Sequence, residues 1–531
     1  MTTEQSGSTN WWEHALGYEI YIRSFADGNG DGIGDFIGML DKLEYLSWLG
    51  VDVLWITPFY ESPLRDWGYD VADYTAVDTT YGTLADVDAV IAKAHALDMR
   101  VIIDIVPNHT SDQHQWFQAA LADTESEYRD YYIWRDPPAD GSLPNNWVGY
   151  FGGPTWTLEP TSGQYYLHLF LPEQPDLNWR NPAVQAEFEN ILRFWLDRGI
   201  DGFRIDVAQG LVKDEQLRSN PQIAPVDESM FRWDQWAAFK HEHDTLQPET
   251  VAIFQAWNRI AGEYGALLLG ETYDLVQFDK LDRLLSSGDA LHVGFWFGAM
   301  HVDWDATAIK SALAQPIDAI SAGLGWAQNS HDEPRSVTRF GGGAIGRRRA
   351  LALAVLLGGL PGMPFLYQGE ELGLEDGEVT AEEKLDPVGG DDPGGGRDGN
   401  RTPMPWRPGP GMGFTEEHVS PWLPFGGRVD ADTVSAQRND PDSMVFRYRR
   451  LIEVRRSIAQ IAEAPMMWID GIPEGIVAFR RGDVVFMANV SPDPATSPVD
   501  GELLFSTNDD GRESRGTLAP DEAQIRLVFG S

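Results

Sequence analysis

Six residues able to do acid–base or ionic chemistry stand at or near the ends of short β-branched or aromatic runs. His109 closes "RVIIDIVPNH", Arg204 and Asp206 close "GFRID", Glu271 lies in "LLLGET", and His331 and Asp332 close "WAQNSHD". Each alone has an ordinary explanation, since an Asp at a strand end often caps the next helix and a loop His is usually solvated. Six such residues at successive strand ends are not explained by capping alone. Two carboxylates about 5 Å apart, flanking an acetal, are what retaining glycoside hydrolysis requires. One must be ionised to attack the anomeric carbon. The other must hold its proton until the leaving oxygen needs it, so a neighbouring anion must raise its pKa. Arg204, two residues before Asp206 along a strand, faces the same side and can keep that carboxylate ionised. This makes Asp206 the better nucleophile and Glu271 the better acid, an order that residue chemistry by itself leaves open.

A second cluster has a different chemistry. "DGNGDGIGD", Asp27 to Asp35, follows the calcium-loop pattern D-x-[DN]-x-[DN]-G from Asp27 to Gly32. The bidentate Glu that an EF-hand needs at loop position 12 is replaced by Gly38, and no second hand follows. The loop therefore reads as a hard-cation site and not as a sensor module.

The elements that must position these groups are legible as eight short β-branched or aromatic runs that read as buried strands, at 18–25, 51–58, 100–109, 202–206, 267–272, 292–297, 326–332 and 364–371. They alternate with amphipathic stretches such as "LADVDAVIAKAHALD". Alternation of this kind predicts an α/β fold, a (β/α)8 TIM barrel whose site lies at the C-terminal strand ends. The third and fourth strands are separated by roughly three times the usual barrel unit. That excess predicts an inserted lobe over 108–178, rich in Trp, Tyr, Gly and Pro. The barrel then occupies 1–107 and 179–461, and alternating strands over 462–531 predict a C-terminal antiparallel β-sandwich. The Gly/Pro-rich stretch 386–414 reads as a long active-site loop, because a helical segment follows it. The apolar run 350–367 approaches the length of a membrane span, but Pro361, Pro364 and its glycines make it a buried helix and a buried strand.

Composition narrows the classes further. The chain has 531 residues, 42% hydrophobic, and a formal net charge of -42. Such a charge excludes nucleic acid and anionic membrane as partners, because phosphate binding needs a basic face. With no cysteine, disulfides, thiolate zinc sites and thiol nucleophiles are excluded. The polar start "MTTEQSGSTN" lacks the design of a signal peptide, and the expected location is cytoplasmic. Oligomeric state is left open.

"DIVPNHTSD", "GFRIDVA", "LLGETYD" and "NSHDEPR", in this order and at these separations, resemble the four signature regions of glycoside hydrolase family 13, the α-amylase family. "QPDLN" (174–178) and "GRDGNRTPMPW" (396–406) resemble segments of its oligo-1,6-glucosidase and α-glucosidase branch, and the resemblance covers nearly the whole chain. It implies Asp206 as nucleophile, Glu271 as general acid/base, and Asp332 as the residue holding the sugar 2- and 3-hydroxyls. His109 and His331 are implied as hydroxyl-binding histidines, and Arg204 as the residue that orients the nucleophile. Asp70 in "DWGYDVADY" is matched to the aspartate gripping the terminal glucose, with Tyr69 stacking beneath the sugar. Phe151 and Phe170 are implied to wall the pocket, with Gln174 nearby. Arg401 is implied to reach across the barrel mouth to Asp70, closing the pocket for exo action. In the metal loop, the resemblance implies Asp27, Asn29, Asp31 and Asp35 as side-chain ligands and Ile33 as a carbonyl ligand, for a structural Ca²⁺ or Mg²⁺.

The implied activity is a retaining exo-acting α-glucosidase that releases α-D-glucose from the non-reducing end of short maltose- or isomaltose-type α-glucosides. An α-glucosyl transferase or isomerase of trehalose synthase, sucrose isomerase or amylosucrase type is the alternative, since both share one covalent intermediate. A catalytically dead relative, such as an amino-acid-transporter heavy chain, would lack the carboxylates and carry a membrane anchor, and this chain shows neither. Val207, after the nucleophile, resembles α-1,6-preferring enzymes, whereas its context "GFRIDVAQGLVKD" resembles bacterial enzymes that use α-1,4 links. The expectation is maltose-type substrates.

Overall fold

The computed structural model describes residues 10–227, 230–272, 278–285, 288–320, 323–388, 396–458, 464–508 and 516–528. Eight parallel strands close a barrel: β1 (Gly17–Ile20), β2 (Val53–Ile56), β3 (Arg100–Ile105), β4 (Gly202–Ile205), β5 (Leu267–Glu271), β6 (Val293–Trp296), β7 (Gly323–Trp326) and β8 (Met363–Tyr367). Each pairs with its neighbours in chain order, and β8 pairs with β1 to close the ring.

Strand residues divide by a period of two, as a pleated backbone requires. Val53, Trp55, Ile102, Leu267, Leu269, Phe295 and Phe365 form one cluster, which fills the barrel interior. Their alternates Leu54, Ile56, Ile103, Leu268 and Leu366 join the larger cluster with the surrounding helices. The helices start where the side chains permit. Asp35 caps Phe36–Leu49, Thr83 caps Leu84–Ala96 in a reciprocal box with Asp86, and Asn181 caps Pro182–Asp197 with proline in its first turn.

The 350–367 run resolves into helix Gly343–Gly359, buried along most of its length, and the buried strand β8. It packs under the C-terminal sheet, where the Phe486 ring lies so close to Gly359 that a Cβ would sit 2.5 Å from it. Among the described residues, no helix is long and apolar enough to cross a membrane.

All eight strands end before the runs that predict them, β1 and β7 by the most. β1 stops at Ile20 and a 3-10 turn follows at Ile22–Ser24. β7 spans Gly323–Trp326, and the chain leaves the ladder before Gln328 and Asn329, whose amides donate to Glu370 at 2.8 and 2.6 Å. Polar anchoring of these side chains replaces backbone pairing there.

The segment after β3 carries helix Gln115–Ala122 and a three-stranded sheet of Trp134–Arg135, Gln164–Leu167 and Trp156–Glu159. Beyond residue 464 a five-stranded antiparallel sheet and the two-stranded ladder Ala495–Thr496/Thr517–Leu518 follow. In the predicted active-site loop, 389–395 lies outside the described residues, and 396–406 leads back over the barrel mouth.

Candidate active site

The strand ends converge around one guanidinium. Arg204, 1% exposed on β4, donates through Nη1 to Asp104 Oδ1 and Asp206 Oδ1, both at 2.7 Å, while its Nη2 lies 2.9 Å from Glu271 Oε1. Burial alone would lower the guanidinium pKa, but Asp104 and Glu271 outweigh it and hold the proton firmly. Burial and then the Glu271 charge push the Asp206 carboxyl well above the usual carboxylate range, with Arg204 opposing. Asp104, whose carboxyl is raised to about 6 mainly by burial, also accepts from Trp55 Nε1 and the Tyr69 hydroxyl.

The backbone turns sharply after Asp206. Val207 has φ +46°, a left-handed conformation that a β-branched residue rarely adopts, and its N–H donates to Glu271 Oε2 at 2.8 Å. Strain of this kind persists only where the surroundings impose it, and here it aims an N–H at the second carboxylate.

Elsewhere in the pocket lining, Arg397 binds three acids. Its Nη2 donates to Asp66 Oδ1 and Asp386 Oδ1, both at 2.8 Å, and its Nη1 donates to Asp332 Oδ1 at 3.0 Å. Arg401 donates to the same Asp332 oxygen at 2.7 Å and to the His331 carbonyl at 2.7 Å. Burial would raise Asp332, but the His331 ring and then Arg397, Arg401 and Arg204 hold its carboxyl well below the ordinary range. His331 and His109 are lowered to about 3 and about 4, in each case chiefly by burial. The Tyr69 ring stacks on His331 with centroids 5.4 Å apart. Tyr150, Phe151, Phe170 and Trp233 form an aromatic wall, and Gln209 and Arg232 complete the lining with Asp66, His109, Val207 and the carboxylates.

Residues 19–464 match the family model described as alpha amylase, catalytic domain. The chain belongs to glycoside hydrolase family 13, the α-amylase family, in its oligo-1,6-glucosidase and α-glucosidase branch. It is 38% identical over 500 residues to a Rhizobium meliloti (strain 1021) protein called "Probable alpha-glucosidase", covering 92% of this chain and 90% of that one. It is 36% identical over 490 residues to the oligo-1,6-glucosidase of Heyndrickxia coagulans, covering 85% and 86%. Among solved structures, the α-glucosyl transfer enzyme XgtA superposes with a TM-score of 0.91 at 38% identity, covering 98% of this chain and 100% of that one. The chain thus carries the family 13 machinery for processing glucosides.

Most of the family-implied residues meet in this pocket. Asp206, Glu271, Asp332, Tyr69, His109, Phe151, Phe170 and Val207 line it. Arg204 and His331 lie directly beneath, and Gln174, fully buried, donates to Asp66 Oδ2 at 3.2 Å. One assignment requires correction. Asp70 does not face the sugar site, and Arg401 does not reach it. The Asp70 carboxylate accepts from the Ser62 hydroxyl (2.9 Å) and from the Arg65 and Asp66 backbone N–H groups (2.9 and 3.0 Å), so it is consumed in shaping its own loop. The acid–arginine pair in the pocket lining is instead Asp66 and Arg397, 2.8 Å apart, each four positions earlier in the chain than the residue the resemblance implied. Both "DWGYD" and "RDGNR" offer two charges of the same sign, and the sequence holds no signal that ranks them. Glu19, Asp104, Asp386, Gln209, Tyr150, Arg232 and Trp233 were also not anticipated as part of this site or its support.

The Asp27–Asp35 loop folds tightly on its own side chains. Asp27 accepts from the N–H groups of Asn29, Gly30 and Gly32, and Asp31 Oδ1 accepts from Ile33 N–H at 2.8 Å. Asp35, 1% exposed, caps the following helix through Gly38 N–H and also accepts from Gly28 and Asn29. The donor set of carboxylate, amide and carbonyl oxygens suits a hard cation. Among the described residues, no group of three or more His, Cys, Asp or Glu side chains is gathered as a metal cage.

Proposed function

We propose that this chain processes short α-glucosides through a covalent glucosyl–enzyme intermediate, with transfer of glucose to an acceptor sugar competing with hydrolysis. The observation that carries the reading is one pocket whose lining brings together Asp206 and Glu271, which share Arg204, and the ion-paired Asp66 and Arg397. Asp206 attacks the anomeric carbon as Glu271 protonates the departing glycosidic oxygen, and Glu271 then deprotonates the incoming hydroxyl. Asp332, whose carboxyl is held well below the ordinary range by His331 and then by Arg397 and Arg401, holds the sugar hydroxyls as the ring distorts. Water and a sugar hydroxyl attack the same intermediate, so the partition depends on the acceptor side. The pocket lining includes Tyr150, Phe151 and Trp233, whose aromatic faces would favour a stacking acceptor sugar over loosely held water. Likeness to an α-glucosyl transfer enzyme supports transfer, and likeness to a protein called an α-glucosidase supports the hydrolytic branch.

Chromatography of products from maltose, isomaltose, sucrose and trehalose, taken separately, tests this. Transfer products should rise with substrate concentration, and glucose alone at every concentration would remove the transferase reading. Val207 and its context lead us to expect maltose over isomaltose. A catalytic efficiency at least about tenfold higher on isomaltose would reverse that preference.

The Asp27–Asp35 loop is proposed to take Ca²⁺ or Mg²⁺ as a structural ion, through Asp27, Asn29, Asp31, Asp35 and the Ile33 carbonyl. Binding to the folded state alone stabilises it by mass action. Chelation should therefore lower the melting temperature more than it lowers turnover per folded molecule. Immediate loss of activity with an unchanged melting temperature would contradict a structural role.

A further inference from the structure

Glu19 is a carboxylate inside β1, 2% exposed, and the chemistry above does not use it. Its Oε1 faces His331 Nδ1 in a short contact and also accepts the His331 backbone N–H at 3.3 Å. The other ring nitrogen, Nε2, lies 3.1 Å from Asp332 Oδ2 and 2.9 Å from the Tyr69 hydroxyl. Tyr69 donates to Asp104 at 3.2 Å, Asp104 accepts from Arg204, and Arg204 donates to Asp206. A continuous set of hydrogen bonds thus runs from β1 to the carboxylate pair.

We propose that Glu19 is a positioning residue that fixes the orientation and tautomer of His331, so that Nε2 always carries a hydrogen towards Asp332 and the sugar hydroxyl bound there. This rests on the reading of the pocket as a glucoside site. The two nitrogens of an imidazole are not independent, because the bond made at one decides whether the other is donor or acceptor. Burial and then the Asp332 charge push the Glu19 carboxyl well above the usual range, with Arg204 opposing and Asp104 adding. A protonated Glu19 donates to Nδ1, which leaves the ring hydrogen on Nε2. If the proton crosses the short contact, the ring becomes imidazolium and Nε2 still carries a hydrogen. Without the carboxyl group, the ring is free to place its hydrogen on Nδ1 and turn a lone pair towards ionised Asp332. The groups that set this balance are His331, Asp332, Asp104 and Arg204, with the Tyr367 hydroxyl on β8.

The test compares Glu19→Gln with Glu19→Met on an aryl α-glucoside, recording kcat, KM and the pH profile. Wild-type cleavage of that substrate is the control: an inert wild type would overturn the pocket reading, whereas the ratio between variants addresses Glu19. Gln can still donate an N–H to Nδ1, and should keep kcat within about tenfold of wild type, whereas Met should lose at least about 100-fold in kcat with a smaller change in KM. In wild type, activity should fall on the alkaline side as Glu19 ionises, and Glu19→Gln should move that limb upward. If Glu19→Met does not fold, the alkaline limb of Glu19→Gln decides, and an unmoved limb overturns the proposal. Wild-type kcat in folded Glu19→Met, or equal impairment of both folded variants, would also overturn it.

Discussion

Asp206→Asn and Glu271→Gln should each abolish nearly all turnover on a natural disaccharide while the protein stays folded. General acid–base assistance accounts for about 10²–10⁴ in rate, and loss of the nucleophile removes the covalent route altogether. Folding should persist, because Arg204 keeps Asp104 and one member of the pair as counter-charges in either variant. The two should diverge on an activated aryl α-glucoside, whose leaving group needs little protonation. Glu271→Gln should lose less there than Asp206→Asn, and glucose released by the wild type should first appear as the α-anomer. Steady-state rates, thermal melts and early-time NMR of the anomeric proton check each part. Wild-type rates on a disaccharide for Glu271→Gln would remove it as the acid.

Arg397→Ala should be the most costly change at the far end of the pocket. Arg397 is 6% exposed and pairs with Asp66, Asp386 and Asp332, so its loss leaves three carboxylates short of a partner. Breaking a buried pair by removing one partner costs roughly 3–5 kcal/mol. Expressed in catalysis, that is a fall of about 10²–10⁴-fold in kcat/KM. Arg397→Lys should recover only part of this, since an ammonium cannot bridge acids as a planar fork does. Asp66–Arg397 also predicts which end of a chain is cut, because a glycan continuing past the terminal sugar would collide with the pair. Maltotriose labelled at its reducing end should give unlabelled glucose and labelled maltose first. Large oligosaccharides released from soluble starch would show an open cleft instead.

The barrel and its chemical end were legible in the chain for a physical reason. Parallel strands buried on both faces demand continuous apolar runs, and a polar residue at the end of such a run has one place to go. Asp206, Glu271, Asp332, His109 and Arg204 were therefore legible from local pattern as candidates for one pocket. Glu19 was hidden by the same logic, because it sits inside its run and reads as part of a strand.

What the sequence determined by itself is the architecture, the carboxylates at the strand ends, and the chemistry that such carboxylates can do. Which aspartate and which arginine close the pocket was decided only by tertiary structure. Asp66 and Asp70 lie in one loop, as do Arg397 and Arg401, and each pair has the same charge four residues apart. Asp70 is turned inward by two backbone N–H groups and a serine hydroxyl, and Arg401 is spent on Asp332 and the His331 carbonyl. Arg401 finds its partners in a segment that barrel closure brings to it, whereas Asp70 is taken by groups of its own loop, and no sequence pattern ranks either of two equal charges before the chain has folded.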